Sequence, residues 1–346
     1  MEINRRGCSH HRGCFCRSFR GLQPFGGCHL LWSRCWRFSR GPSNFCFCNA
    51  QKRIRFIGTD MTILTLKEGR GFEYLDNGVT SKKSILFLHG TPGDATAWLK
   101  WLREVTAVTA IATSRPGYGN SDRNRGRSVA DDLNNQRQVL DHLGIESFVA
   151  IGWSGGGPHS LNMTRDPRCV ASFTLAGVGE FGRNDLNFLD GMGPENHDEF
   201  GEALRGEAAI TDWMERNAHA FRTVTGEEMI QAFGGLIGVA DKRALTPEVA
   251  DEGAATLRRA LERSFSGWID DDLAFVRDFG FDLHEIKKPV VIWQGDDDFM
   301  VPKAHSEWLA KHIPGSQLRF VPGHGHISLG EEYRPTIINE ALDYLR

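Results

Sequence analysis

Nowhere in its 346 residues does the chain carry an apolar run approaching the roughly 18 residues that a membrane-spanning helix needs. Acidic residues are nearly missing from residues 1–60, which hold 2 of the 44 Asp+Glu but 11 of the 41 Lys+Arg, leaving +9 there and −12 on the rest. Cysteine is scarce beyond the same point: seven of the eight lie between Cys8 and Cys48, and only Cys169 follows, so the main body lacks the paired thiols of a disulfide framework. What remains is ordinary. Forty per cent hydrophobic and 25% charged residues describe a globular chain and exclude a disordered polymer.

The Cys/Arg-rich segment 1–60 matches no functional module. A secretory signal needs an unbroken apolar core, and Leu30-Leu31-Trp32 is as far as one gets. Zinc modules space their thiolates as C-x2-C or wider, whereas Cys14 and Cys16, and Cys46 and Cys48, leave one residue between them. The arginine content suits a transit peptide but no amphipathic helical period accompanies it, and a phosphate-binding arm would lack any recognition motif beside an otherwise acidic chain. Residues 1–60 are therefore expected to be a poorly ordered extension, nonessential to fold and chemistry. Neither nucleic acid nor membrane is expected as a partner, and the location is expected to be cytoplasmic.

From residue 61 the pattern alternates. Strands are expected over 61–66, 72–75, 84–88, 107–113, 148–152, 170–176, 290–294 and 317–321. Helices are expected over 94–105, from a capping-box-like start at Ser128 and Asp131 to a stop at Gly144, and over 154–165, 303–312 and 333–345. Strand–helix alternation at this spacing demands crossover connections, hence an α/β fold with a mostly parallel central sheet flanked by helices. Between 182 and 285 the strands stop and only helical patterns remain, for example 210–221, 227–233 and 248–265. That window holds 22 acidic residues against 10 basic ones, the whole acidic surplus beyond residue 60. The expected organisation is a core of residues 61–181 and 286–346 with an inserted helical cap, 182–285, over the strands' carboxyl ends, where open parallel sheets place their ligands.

The motif Gly152-Trp153-Ser154-Gly155-Gly156 lies between a strand and a helix. A turn that tight needs small flanking residues, and it lifts a serine hydroxyl above the sheet edge, where the helix N-terminus favours developing negative charge. A second glycine-rich loop, His89-Gly90-Thr91-Pro92-Gly93, follows another strand. The N–H groups of Thr91 and Gly155 are the natural pair of oxyanion donors, and His89 is read as a buried residue shaping the loop. A serine nucleophile also needs a base and an orienting acid. Loops past two late strands offer Asp296, Asp297 and Asp298, and then His324 and His326.

With these motifs in this order, the chain from about residue 61 onward resembles the alpha/beta-hydrolase superfamily. The resemblance implies a choice on each loop. The family's acid loop, G-x-x-D-x-x-V-P, falls on Gly295, Asp298, Val301 and Pro302, and its histidine loop, P-x-x-G-H, on Pro322, Gly325 and His326. Arg115-Pro116-Gly117-Tyr118-Gly119 looks like the family's turn after its fourth strand. Among sister families, epoxide hydrolases and haloalkane dehalogenases use an aspartate where this chain has Ser154. Epoxide hydrolases also need cap tyrosines, and the four tyrosines here, Tyr74, Tyr118, Tyr333 and Tyr344, all fall outside 182–285. The implied activity is a serine esterase for small to medium acyl substrates, with catalytic Ser154, Asp298 and His326, oxyanion donors Thr91 and Gly155, and no metal or organic cofactor. Alternatives are a prolyl iminopeptidase-like aminopeptidase or a lactonase, and, in another class, a ligand-binding protein of this fold without turnover. Either a monomer or a homodimer is compatible with the sequence.

Overall fold

The computed structural model describes residues 54–56 and 59–346; the rest of the expected extension, residues 1–53, and residues 57–58 lie outside the described residues. Among the described residues nine strands form one sheet: β1 (Ile54–Phe56), β2 (Thr59–Thr65), β3 (Gly71–Asp76), β4 (Lys83–Leu88), β5 (Thr109–Thr113), β6 (Ser147–Trp153), β7 (Cys169–Leu175), β8 (Val290–Gly295) and β9 (Gln317–Val321). Their order is β1-β2-β3-β5-β4-β6-β7-β8-β9. The β1–β2, β2–β3 and β3–β5 pairs are antiparallel, and every pair from β5–β4 onward is parallel. The strand expected at 61 starts at Thr59, and Ile54 pairs with Met61, so the sheet reaches back into the segment expected to be an extension.

Strand β4 shows why the central strands read as continuous apolar runs. Every residue from Ser84 to Leu88 is buried, because helices cover both faces. Alternate side chains go to opposite faces. Ile85 and Phe87 join a core with Trp98, Trp101 and Leu329, while Leu86 and Leu88 join another with Val139, Leu140 and Met163. The first core is sealed by α1 (Leu99–Glu104), the second by α2 (Asp132–His142) and α3 (Gly156–Met163). The expected start of α2 comes slightly late: the Ser128 N–H and hydroxyl donate to Asp131 Oδ2 (2.7 and 2.8 Å), which folds a turn leading into the helix.

Between β7 and β8 the chain is helical, as α4 (Pro194–Leu204), α5 (Glu207–Asn217), α6 (Gly226–Ala232), α7 (Val239–Ala244), α8 (Pro247–Leu261) and α9 (Ser266–Phe275). The single helix expected over 248–265 stops at Leu261. After an irregular link α9 begins, and it sits so close to the scaffold that a Cβ on Gly267 would lie 2.6 Å from the Tyr118 ring. Helices α10 (Lys303–His312) and α11 (His326–Asp343) follow β8 and β9. Helix α11 starts seven residues before the apolar period announces it and runs through Pro335.

Strand β4 and its neighbours set the geometry of the loops at the sheet's carboxyl edge. Strand β4 pairs with β5 on one side and β6 on the other, so the chain's direction of travel across the sheet reverses there. Leu88 pairs with Gly152, which brings the loops after β4 and β6, residues 89–93 and 153–155, side by side. The Phe87 ring packs 4.9 Å from that of Trp98 and 5.9 Å from that of Trp101. Phe87→Ala is expected to cost about 3–5 kcal/mol, read as a lower urea midpoint at an unchanged m-value.

Candidate active site

The turn after β6 is built on close backbone approach. A Cβ on Gly152 would lie 2.0 Å from the Gly156 carbonyl oxygen, and one on Gly156 would lie 2.1 Å from the Leu88 carbonyl oxygen, so neither position admits a side chain. Ser154 itself sits at φ 55°, a left-handed conformation that costs a non-glycine residue energy and persists when its surroundings over-determine it. Here the Ser154 N–H donates to Leu175 O (2.8 Å) and its carbonyl accepts from Gly157 N (2.8 Å). Helix α3 starts two residues later and directs its positive end at the turn.

Asp298 and His326 meet. The His326 Nδ1–H donates to Asp298 Oδ2 at 2.9 Å, and both residues are buried. Asp298 Oδ1 accepts from Met300 N (3.0 Å) and Val301 N (2.8 Å), which fixes the carboxylate. The other candidates on the two loops are engaged elsewhere. Asp296 accepts from Gly323 N (2.6 Å), Asp297 from Ala240 N (2.7 Å), and His324 pairs with Glu332 (2.8 Å). With Nδ1 protonated toward Asp298, Nε2 of His326 carries the free lone pair. Burial pushes the His326 imidazole down, but the charge and hydrogen bond of Asp298 and the charge of Asp241 outweigh it and hold it above the ordinary histidine value. The Trp153 ring packs 5.1 Å from the His326 ring, and its indole N–H donates to His326 O (3.2 Å).

Ser154 and His326 line one cavity of about 540 Å³. Among the described residues no hydrogen bond joins the Ser154 hydroxyl to His326, whose ring hydrogen bond runs from Nδ1 to Asp298. Much of the wall is apolar, including Trp101, Met229, Phe233, Val249, Leu257 and Ile327. Its carboxylates, Glu252 and Glu331, both face Lys100 (2.6 and 3.5 Å), and Arg259 is taken up by Glu73 (2.6 Å) and Asp94. No group of three or more potential metal ligands occurs among the described residues.

Thr91 and Gly155 are adjacent: a Cβ on Gly155 would lie 2.5 Å from Thr91 Oγ1. Neither backbone N–H donates to an acceptor among the described residues. His89 holds the loop's shape. Its Nε2 accepts from Arg115 N (3.0 Å), so its Nδ1–H donates to Gly90 O (2.7 Å), and burial pushes its pKa well below the usual value.

One part of the site escapes sequence reasoning. Arg115, fully buried, donates to Asp271 Oδ2 (2.6 Å), Gly90 O (2.9 Å), Thr91 Oγ1 (2.9 Å) and His89 O. Asp271 of α9 in turn accepts from Thr91 Oγ1 (2.7 Å), Tyr118 OH (3.0 Å) and Arg127. The Thr91 side chain is thereby drawn onto a buried ion cluster, which leaves its N–H free. Burial alone would raise the Asp271 pKa; Arg115 and Arg127 reverse this and hold it well below the carboxylate range. Arg115 was visible in its turn motif and Asp271 in the run Trp268-Ile269-Asp270-Asp271-Asp272, but no spacing connects them.

A mostly parallel sheet with a sharp serine turn after β6, an acid loop after β8 and a histidine loop after β9 defines an α/β hydrolase. The model of the alpha/beta hydrolase family matches residues 85–340, and the chain belongs to that family. It is 25% identical over 268 residues to the uncharacterized hydrolase YcgS of Bacillus subtilis, covering 76% of this chain and 92% of that one. It is 27% identical over 258 residues to the 2-hydroxy-6-oxononadienedioate/2-hydroxy-6-oxononatrienedioate hydrolase of Klebsiella pneumoniae, covering 71% and 81%. Among solved structures, a thermophilic esterase from Thermogutta terrifontis shares the fold at a TM-score of 0.60 and 20% identity, over 83% of this chain and 98% of that one. The protein is a hydrolase of this fold.

Replacing Asp271 with alanine strands two buried guanidinium groups. The expected loss is about 3–5 kcal/mol, seen as a lower thermal midpoint.

Proposed function

We propose that the protein is a serine hydrolase for carboxylic esters with small to medium, uncharged, largely apolar acyl groups. The observation that carries this reading is that Ser154, on its left-handed turn, and His326, backed by Asp298, open onto one largely apolar cavity. His326 Nε2 removes the Ser154 proton as Oγ attacks the ester carbonyl. The tetrahedral oxyanion is held by the Thr91 and Gly155 N–H groups. Collapse expels the alcohol, which takes the proton from His326, and water then enters by the same general-base route to release the acid and free Ser154. The helices between β7 and β8 serve as the cap that walls the cavity.

The cavity's charge balance favours esters over peptides with a free amine. An aminopeptidase needs an unengaged carboxylate to hold the substrate's ammonium group, and Glu252 and Glu331 already share Lys100.

Parallel assays of p-nitrophenyl acyl esters and a proline arylamide are expected to give turnover of the esters alone; preferential arylamide cleavage would reverse the assignment. Ser154→Ala is expected to lower kcat by about four to six orders of magnitude and to abolish labelling by a fluorophosphonate. Absence of labelling in the unaltered protein would favour a ligand-binding role. Because His326 must be neutral to act as base, and its pKa is held above the ordinary value, kcat/KM is expected to fall as pH drops through a limb above about 6.5.

A further inference from the structure

His326 is the first residue of α11, a place where backbone donors go begging. The first turn of a helix carries N–H groups with no intrahelical partner, and they are usually satisfied by a side chain just upstream. Here the upstream residue is Gly325, which has no side chain to offer. The acceptor comes from α7 instead. Asp241, fully buried, takes hydrogen bonds from His326 N (2.9 Å), Ile327 N (3.0 Å), Ser328 N (2.8 Å) and Ser328 Oγ (2.9 Å). A Cβ on Gly325 would lie 2.6 Å from that carboxylate, so the glycine is what lets Asp241 in.

The clamp is reciprocal. Asp297, next to Asp298, accepts from Ala240 N (2.7 Å) in the first turn of α7, and a Cβ on Gly238 would lie 2.3 Å from it. Asp297 N donates to His324 O (2.9 Å), and Ile237 pairs with Asp298 across an isolated antiparallel bridge. The acid loop thus caps α7, α7 caps α11, and the acid and histidine loops are bonded to each other.

We propose that Asp241 is a positioning residue for His326: docking of α7 supplies the missing cap of the histidine's helix, so the base is oriented only when this part of the insertion is seated. The proposal rests on the serine-hydrolase reading of Ser154, Asp298 and His326. Asp241 acts in two ways. Geometrically, the carboxylate fixes the backbone of His326 itself. Electrostatically, it offsets the positive end of α11, which would otherwise disfavour the imidazolium formed during proton transfer. The charged groups acting on the imidazole are Asp298 from the acid loop and Asp241 from α7. From β6 the neighbour is the uncharged Trp153 ring, and Glu332 of α11 is engaged by His324.

The test is kcat and KM against pH on a p-nitrophenyl acyl ester for the full chain, with thermal melts to establish folding. Asp241→Asn is expected to lower kcat about 10- to 100-fold with KM little changed, and to move the acid limb of kcat/KM to lower pH. Asp297→Ala, which loosens α7 and with it the seating of the Asp241 carboxylate, is expected to lower kcat with KM little changed and to move the limb the same way by a smaller amount. Wild-type kcat and an unmoved limb in folded Asp241→Asn would overturn the proposal. If that variant does not fold, Asp297→Ala decides: reduced kcat with KM little changed supports docking of α7 as the requirement, and wild-type kcat refutes it. Ser154→Ala in the same assay separates the two levels. Full activity there brings down the serine mechanism and this inference with it, whereas an inactive Ser154→Ala beside a wild-type Asp241→Asn brings down this inference alone.

Discussion

The site hangs on a backbone approach too close for a single methyl group. With Gly156 against the Leu88 carbonyl and Gly152 against that of Gly156, the ends of β4 and β6 are locked together. That contact places Ser154 beside the 89–93 loop and forces the serine into its left-handed conformation. The backbone hydrogen bonds of Ser154 to Leu175 O and from Gly157 N then hold the turn in this geometry. The sheet's register brings the two strand ends together, and the absence of side chains lets them close.

Onto this rigid edge the helical insertion is stitched by charge. Asp271 enters a cluster with Arg115 and Arg127, Arg259 enters one with Glu73 and Asp94, and Asp241 reaches the first turn of α11. Burying ions is costly unless each is paired and hydrogen-bonded, so these contacts add little net stability, while removing one partner leaves an uncompensated buried charge. The acidic surplus of residues 182–285 is therefore not all solvated surface. Two of its members, Asp241 and Asp271, bear on the loops that carry His326 and Thr91.

Local patterns were readable wherever one element contained its own explanation. The strand Gln317–Val321 and the helix Lys303–His312 fall where period and composition place them. The serine turn was readable because its glycines are adjacent in sequence. Between Asp296, Asp297 and Asp298 spacing alone decided nothing; the family resemblance pointed to Asp298, and the structure has only that one of the three meeting His326. What stayed hidden is non-local. Arg115 and Asp271 are 156 residues apart and Asp241 and His326 are 85 apart, so no window contains both partners. The start of α11 was missed for the same reason, since its cap is not in the preceding sequence. The break between α8 and α9 comes from α9 seating against Tyr118, which residues 261–266 do not announce.

The buried carboxylate at Asp271 also limits how this architecture can be rearranged. Grafting a foreign set of helices between β7 and β8 would delete an anion from the middle of the scaffold and leave Arg115 and Arg127 facing each other's charge in a dry interior. The insertion is covalently an excursion but electrostatically part of the core. Exchange at this junction must carry a carboxylate to the same point or neutralise both arginines at once.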